Sequence, residues 1–246
     1  MLLRLLGAAL LMGCIAACPP LDGSGIPDAG TPLFVLESIP STPITLVFGD
    51  EEELVVAVSD LEGEPAPGVR VTFLLEGTFH DSSLSKVTDI SGSDGLVRTR
   101  LAAGYSNALF RVRVNAEDAS PIHRLVAVSD GGFGTLEIEA TYEGGREVDS
   151  YDVDVYFEAH CVDTRVADGA AGDREVLLPA GTSEASFEQL PATSLYAVTV
   201  TALNAAGAPI ARGCVDEVAL LADATQSIAI EAFDLPYGAA GSYEAT

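Results

Sequence analysis

An all-β fold of two tandem antiparallel β-sandwich modules is what this sequence predicts, and three observations lead to it. The stretch VRVTFLL places Val69, Val71, Phe73 and Leu75 on one side of an extended chain and Arg70 and Thr72 on the other, and LFRVRVNA does the same with Phe110, Val112 and Val114 against Arg111 and Arg113. Turn chemistry such as GEPAPG and SGSDG separates about eight such short runs between residues 33 and 129. No part of that span has a helical period long enough to form a helix. Short antiparallel strands with frequent turns bury their apolar faces by stacking as two sheets. A chain of 246 residues supplies one or two such cores, and the pattern suggests two.

The elements follow in chain order. MLLRLLGAALLMGCIAAC carries one basic residue, Arg4, ahead of an apolar run that Pro19 and Pro20 end. That run is shorter than the roughly 20 residues a spanning helix needs, so residues 1–17 read as a secretory signal peptide. Ile15-Ala16-Ala17-Cys18 resembles the lipobox of bacterial lipoproteins, and the resemblance implies lipidation of Cys18, with fatty acyl chains such as palmitate inserted in a membrane. Leu11-Met12-Gly13-Cys14 is a second candidate. Use of Cys18 removes Cys14 with the signal and leaves Cys161 and Cys214, an even pair that can close in an oxidising compartment. Pro19 stands where inner-membrane lipoproteins of Gram-negative bacteria resemble one another in having Asp, so the outer membrane is the expected address in such a host. Residues 18–32, rich in Pro, Gly and Ser, then form a flexible tether.

Over residues 33–129 the motifs resemble a known family. VAVSDLEGEPAPGVRVTFLLEG, SGSDGLVRTRLAAG and ALFRVRVNA are similar to the bacterial Ig-like domain of invasin and intimin type, at Asp60, Gly63, Pro65, Gly68, Val69, Asp94, Gly95, Ala103 and Gly104. TDISGS at residues 88–93 is longer than that family's usual turn, which leaves the path of this loop open. The resemblance implies an Ig-like sandwich used as an extracellular spacer or adhesive stalk, and it carries no catalytic residues.

SDGGFG, residues 129–134, reads as a linker to a second sandwich over residues 134–233. There Leu136, Ile138, Ala140 and Tyr142 alternate with Glu137, Glu139 and Glu143, and Val153, Val155 and Phe157 alternate with Asp152, Asp154 and Glu158, so each strand sets an apolar face against an acidic one. A strand over Tyr196 to Leu203, a turn over Asn204 to Pro209 and a return strand reaching Cys214 follow. LPATSLY loosely resembles the entry to a strand in carboxypeptidase regulatory-like and fibronectin type III modules, where a tyrosine braces a corner. Cys161 follows one strand and Cys214 ends another, so a disulfide between them is expected. Residues 234–246 are turn-like, a tail or the start of a further module.

Composition bounds the partners. Against 12 Lys and Arg stand 37 Asp and Glu, a formal charge of −25, which repels nucleic acid. Catalytic patterns fare poorly. GYSNA at residues 104–108 lacks the strand-turn-helix setting that would make Ser106 a nucleophile, and carboxylates this abundant pair by chance. We expect no enzyme and no cofactor. His80, His123 and His160 are scattered, so no zinc set forms with the cysteines. Asp149, Asp152 and Asp154, with Glu147 beside them and Asp168 and Asp173 in DGAAGDRE, are calcium candidates by oxygen density, although their spacing departs from an EF-hand and a solvated acidic face also accounts for them. Arg70, Arg111 and Arg113 share an outer sheet face that could grip an anionic glycan or pair with neighbouring acids. The expectation is a cell-envelope lipoprotein serving as a structural or adhesive spacer, with the membrane as one partner and a surface protein or glycan as another. The alternative is a surface lipoprotein whose second module captures calcium or a saccharide.

Overall fold

A computed structural model describes residues 32–39 and 43–236; the expected signal peptide, both lipidation candidates Cys14 and Cys18, nearly all of the expected tether and the expected tail beyond residue 236 lie outside them. The described chain is all-β, relieved by one short helix. The first nine strands are β1 (Phe34–Ile39), β2 (Ile44–Leu46), β3 (Glu51–Asp60), β4 (Arg70–Thr78), β5 (Ser83–Leu84), β6 (Thr88–Ile90), β7 (Leu96–Ala102), β8 (Ala108–Ala116) and β9 (Ile122–Val128). They form two sheets, in the order β1-β3-β7-β5 and β2-β9-β8-β4-β6. Neighbours are antiparallel except that β2 runs parallel to β9.

Alternation decides what is buried. Val71, Phe73, Phe110, Val112 and Val114 lie between the two sheets at 1% exposure or less, while Arg70 and Thr72 turn outward. Burying a phenylalanine of this kind stabilises by about 2 kcal/mol, and several such side chains fix the register, because a one-residue slip would send them all to solvent. The turns are held by their own residues. Asp60 Oδ1 accepts hydrogen bonds from Glu62 N at 3.0 Å and Glu64 N at 2.9 Å, closing the corner after β3. Gly95, at φ +72°, sits where a Cβ would lie 2.6 Å from the Val58 carbonyl oxygen, so no other residue fits the turn into β7. The loop left open over residues 88–93 becomes β6, an edge strand paired with β4, and then the turn before β7.

The remaining elements are β10 (Phe133–Thr141), β11 (Ser150–Phe157), α1 (Thr164–Ala167), β12 (Arg174–Leu178), β13 (Glu184–Pro191), β14 (Leu195–Leu203), β15 (Pro209–Ala219), β16 (Thr225–Glu231) and β17 (Phe233–Asp234). Their sheets run β13-β10-β16 and β12-β11-β14-β15-β17, with β10 parallel to β16. A second core, including Leu136, Ile138, Val153, Val155, Phe187, Tyr196 and Val198, fills the space between them. Tyr196, fully buried, donates its hydroxyl to the Pro191 carbonyl at 2.7 Å, bracing the corner between β13 and β14, and its ring meets Phe157 edge to face with centroids 5.7 Å apart.

The two sandwiches touch closely. Leu109 and Ala127, on the outer face of β8 and β9, are buried at 1% exposure or less and belong to the second core. Asn107 Nδ2 donates to the Ala192 carbonyl at 3.1 Å and to Ser194 Oγ at 2.9 Å across the same junction. Ser129, in the segment expected as a linker, is 1% exposed, and the Gly132 carbonyl accepts from Ala192 N at 2.9 Å. The described residues from Pro32 onward form one compact unit around these two cores.

Candidate functional site

The acidic strand β11 was expected to present one solvated face, and here the structure differs. Asp152 and Asp154 do share the outer face, but Asp154 is only 6% exposed. The physical reason is the connection from β11 to β12, residues 158–173, which folds back over that face as a strap. Val166 of α1 packs with Tyr156, Ala159 and Ala197 beneath it. Tyr156 Oη donates to the Ala170 carbonyl at 2.5 Å and Gly172 N donates to Asp154 Oδ1 at 2.8 Å. Arg212 of β15 donates to the carbonyls of Ala167, at 2.8 Å, and Val166, a cation set on the C-terminal end of the helical turn. Cys161 and Cys214 close a disulfide with sulfurs 1.95 Å apart and Cα atoms 6.1 Å apart, so the strap is covalently stapled to the sheet. Cys161 N also donates to Asp216 Oδ1 at 2.7 Å.

This arrangement shapes the chemistry of the calcium candidates. Burial pushes the Asp154 carboxyl up to about 6, with Asp152 and Glu175 adding to the rise and the Gly172 N–H opposing it. Burial and Glu175 raise Asp152 as well. Asp149 belongs elsewhere: its N–H donates to the Leu203 carbonyl at 2.8 Å, and it lines a shallow hollow with Glu147 and Asn204. Asp173 is engaged by the backbone, accepting from Phe157 N at 2.8 Å and pairing with Arg165 at 3.3 Å, and Asp168 ends α1. Among the described residues, no group of three or more His, Cys, Asp or Glu is placed to hold a metal ion. His160 lies 3.8 Å from Asp216, and Ser106 occupies an exposed turn between β7 and β8.

The basic candidates separate too. Arg113 pairs with Glu76 at 3.3 Å, the cross-strand use expected of it, and Arg70 stands exposed on β4 opposite Ile90. Arg111 instead reaches the other sandwich, donating to the Asp173 carbonyl at 3.2 Å and standing 3.8 Å from Glu175. It borders a groove of about 340 Å³ at the junction, lined also by Pro43, His123, Arg124, Leu125, Arg174 and Glu175.

Two of these arginines occupy inward positions of their strands, each at the seam between the sheets of a sandwich. Arg124 stands opposite the core residue Val112 and donates to Ser38 Oγ of β1. Arg174 stands opposite the core residue Val155, donates to the Glu188 carbonyl of β13 at 3.0 Å and lies 5.7 Å from the centre of the Phe187 ring. Burial lowers the pKa of both from the ordinary guanidinium value, and the neighbouring charge of Arg111 lowers Arg174 further. This groove went unseen in the sequence. The available signal was an arginine at an apolar-phase position in each of two alternating strands, HRLVAV and REVLL.

Neither protein-family models nor curated proteins show a match to this chain. Among solved structures, the D0-D1 domain of intimin is similar over 69% of this chain and 88% of its own length, at 12% identity and a TM-score of 0.34. The Yersinia pseudotuberculosis adhesin InvE is similar over 77% of this chain and 62% of its own, at 11% identity and a TM-score of 0.29. A Bacteroides ovatus xyloglucanase, at 12% identity and a TM-score of 0.29, is matched over 38% of this chain, which spans 18% of that enzyme.

Proposed function

We propose that the chain is a cell-envelope lipoprotein acting as a structural or adhesive Ig-like spacer, with modules over residues 33–129 and 134–233 and a lipid anchor at Cys18. The observation that supports a spacer most directly is the junction. Leu109 and Ala127 of one sandwich complete the core of the other, and Asn107 and Arg111 bond across to backbone carbonyls. Two bodies locked in this way hold a fixed separation and angle between whatever is attached at either end, which is what a spacer requires. The anchor reading rests on the leader and lipobox, and places the protein in the outer membrane of a Gram-negative host.

Membrane fractionation tests the anchor. Cys18→Ser removes the thiol that acylation needs and should release the protein from membranes, whereas Cys14→Ser should leave it bound. A membrane-bound Cys18→Ser protein would overturn the reading. Calcium titration tests the rival role of the second module. The adjacency of Asp152 and Asp154 favours that role. If millimolar calcium raised the melting temperature by several degrees, and replacing Asp152 with Asn abolished the rise while replacing Asp149 did not, linkage would demand a real site and the spacer reading would yield.

A further inference from the structure

In a chain of net charge −25, cations have no shortage of carboxylate partners, and most of them take one. Arg98, Arg100, Arg113 and Arg165 each pair with an acid at 3.5 Å or less. Arg174 departs from this. Among the described residues no carboxylate forms an ion pair with it; its bonds are to a backbone carbonyl and an aromatic face. It shares its groove with Arg111, whose charge it feels, so two arginines, one from each sandwich, border one concavity of about 340 Å³, with Glu175 as the acid lining it. Like charges gathered in a partly desolvated cleft repel one another, and the forked donors of a guanidinium match an oxyanion in geometry as well as charge. The volume falls at the lower end of the range for small-molecule sites.

We infer that the groove between the sandwiches, bounded by Arg111 and Arg174, binds a small oxyanion: the carboxylate, sulfate or phosphate group of a low-molecular-weight ligand. The anion bridges Arg111 of β8 and Arg174 of β12, relieving their repulsion and tying the two bodies together at the junction. Glu175 opposes it, since its carboxylate, 3.8 Å from Arg111, competes for the same donor. The inference stands apart from the spacer reading and does not depend on the lipid anchor.

The test is a titration of the full chain followed by NMR of the arginine side-chain Nε–Hε signals. Sodium sulfate, sodium phosphate and sodium glucuronate serve as probes, with sodium chloride at equal ionic strength as the reference. The expected result is saturable shifts at Arg111 and Arg174, with the three probes ranking which oxyanion the groove prefers. Arg111→Gln and Arg174→Gln should each weaken binding by about tenfold or more, the loss expected for one charge-assisted hydrogen bond. Glu175→Gln, an exposed change that leaves the core alone, should tighten binding several-fold, and it keeps the test decisive if either arginine variant fails to fold. Shifts no larger than those in chloride, shifts unchanged in Arg111→Gln, or an unchanged affinity in Glu175→Gln would each overturn the inference.

Discussion

Asp154 is a carboxyl that the fold would rather keep neutral. Its raised value, about 6 against an ordinary 3.8, means that the folded chain holds a proton there between about pH 4 and about pH 6 that the unfolded chain has lost. Stability from this residue is therefore greatest below about pH 4 and is lost as pH rises through about 6. At neutral pH the buried charge costs on the order of 3 kcal/mol. Asp154→Asn keeps an acceptor for the Gly172 N–H and removes the charge, so thermal melts should show a higher melting temperature at pH 7.5 and a weaker gain on acidification than in the parent. The sequence placed Asp154 correctly in phase, outward and opposite to Val153 and Val155. It did not reveal the burial, because outward means solvated only until a distant segment folds over it. Arg124 and Arg174 were obscured for the converse reason: their inward phase was legible, but alternation does not disclose that an inward position lies at an open seam, with room for a guanidinium.

Among the elements, the strap over β11 is the least legible and the strands are the most. VRVTFLL and LFRVRVNA announce β4 and β8, and the strand, turn and return expected from Tyr196 to Cys214 appear as β14 and β15. The strap has no period to read. Its helix is one turn long and takes its shape from partners on other strands, Arg212 and Tyr156 among them, and from the staple of Cys161 to Cys214. That staple was readable from cysteine arithmetic once the leader was set aside. The disulfide spans 53 residues, a loop whose closure contributes about 4 kcal/mol in the chain-entropy description. Reduction should lower the melting temperature. Hydrogen exchange should accelerate first in residues 158–173 and at the outer face of β15, with β4 and β8 changed least, as mass spectrometry of pulse-labelled protein can show.

Across the whole molecule, the two cores were foreshadowed by the turn-rich break near residue 130, but the contact between them was not. Leu109 sits beside Ala108 and Phe110 in a run of three buried residues, and a period-two rule assigns it to solvent. Its burial depends on a surface contributed by the other half of the chain. Leu109→Ala should cost roughly 2–5 kcal/mol, the usual range for a buried leucine, and the loss should register in exchange rates of β13 and β14 as well as of β8. An effect confined to β8 and its neighbours would show that the junction transmits little. The parallel pairing of β2 with β9 and of β10 with β16 has one more consequence, which concerns force. Each sandwich has an early strand and a late strand side by side and pointing the same way, so tension along the chain draws them past each other lengthwise. The evenly spaced bonds of a parallel ladder then share the load together instead of opening one after another like a zip. Rupture under pull is set by the barrier to unfolding and not by equilibrium stability. Single-molecule stretching should find each half yielding abruptly at high force, the two ends held at a nearly constant separation until the ladder gives way all at once.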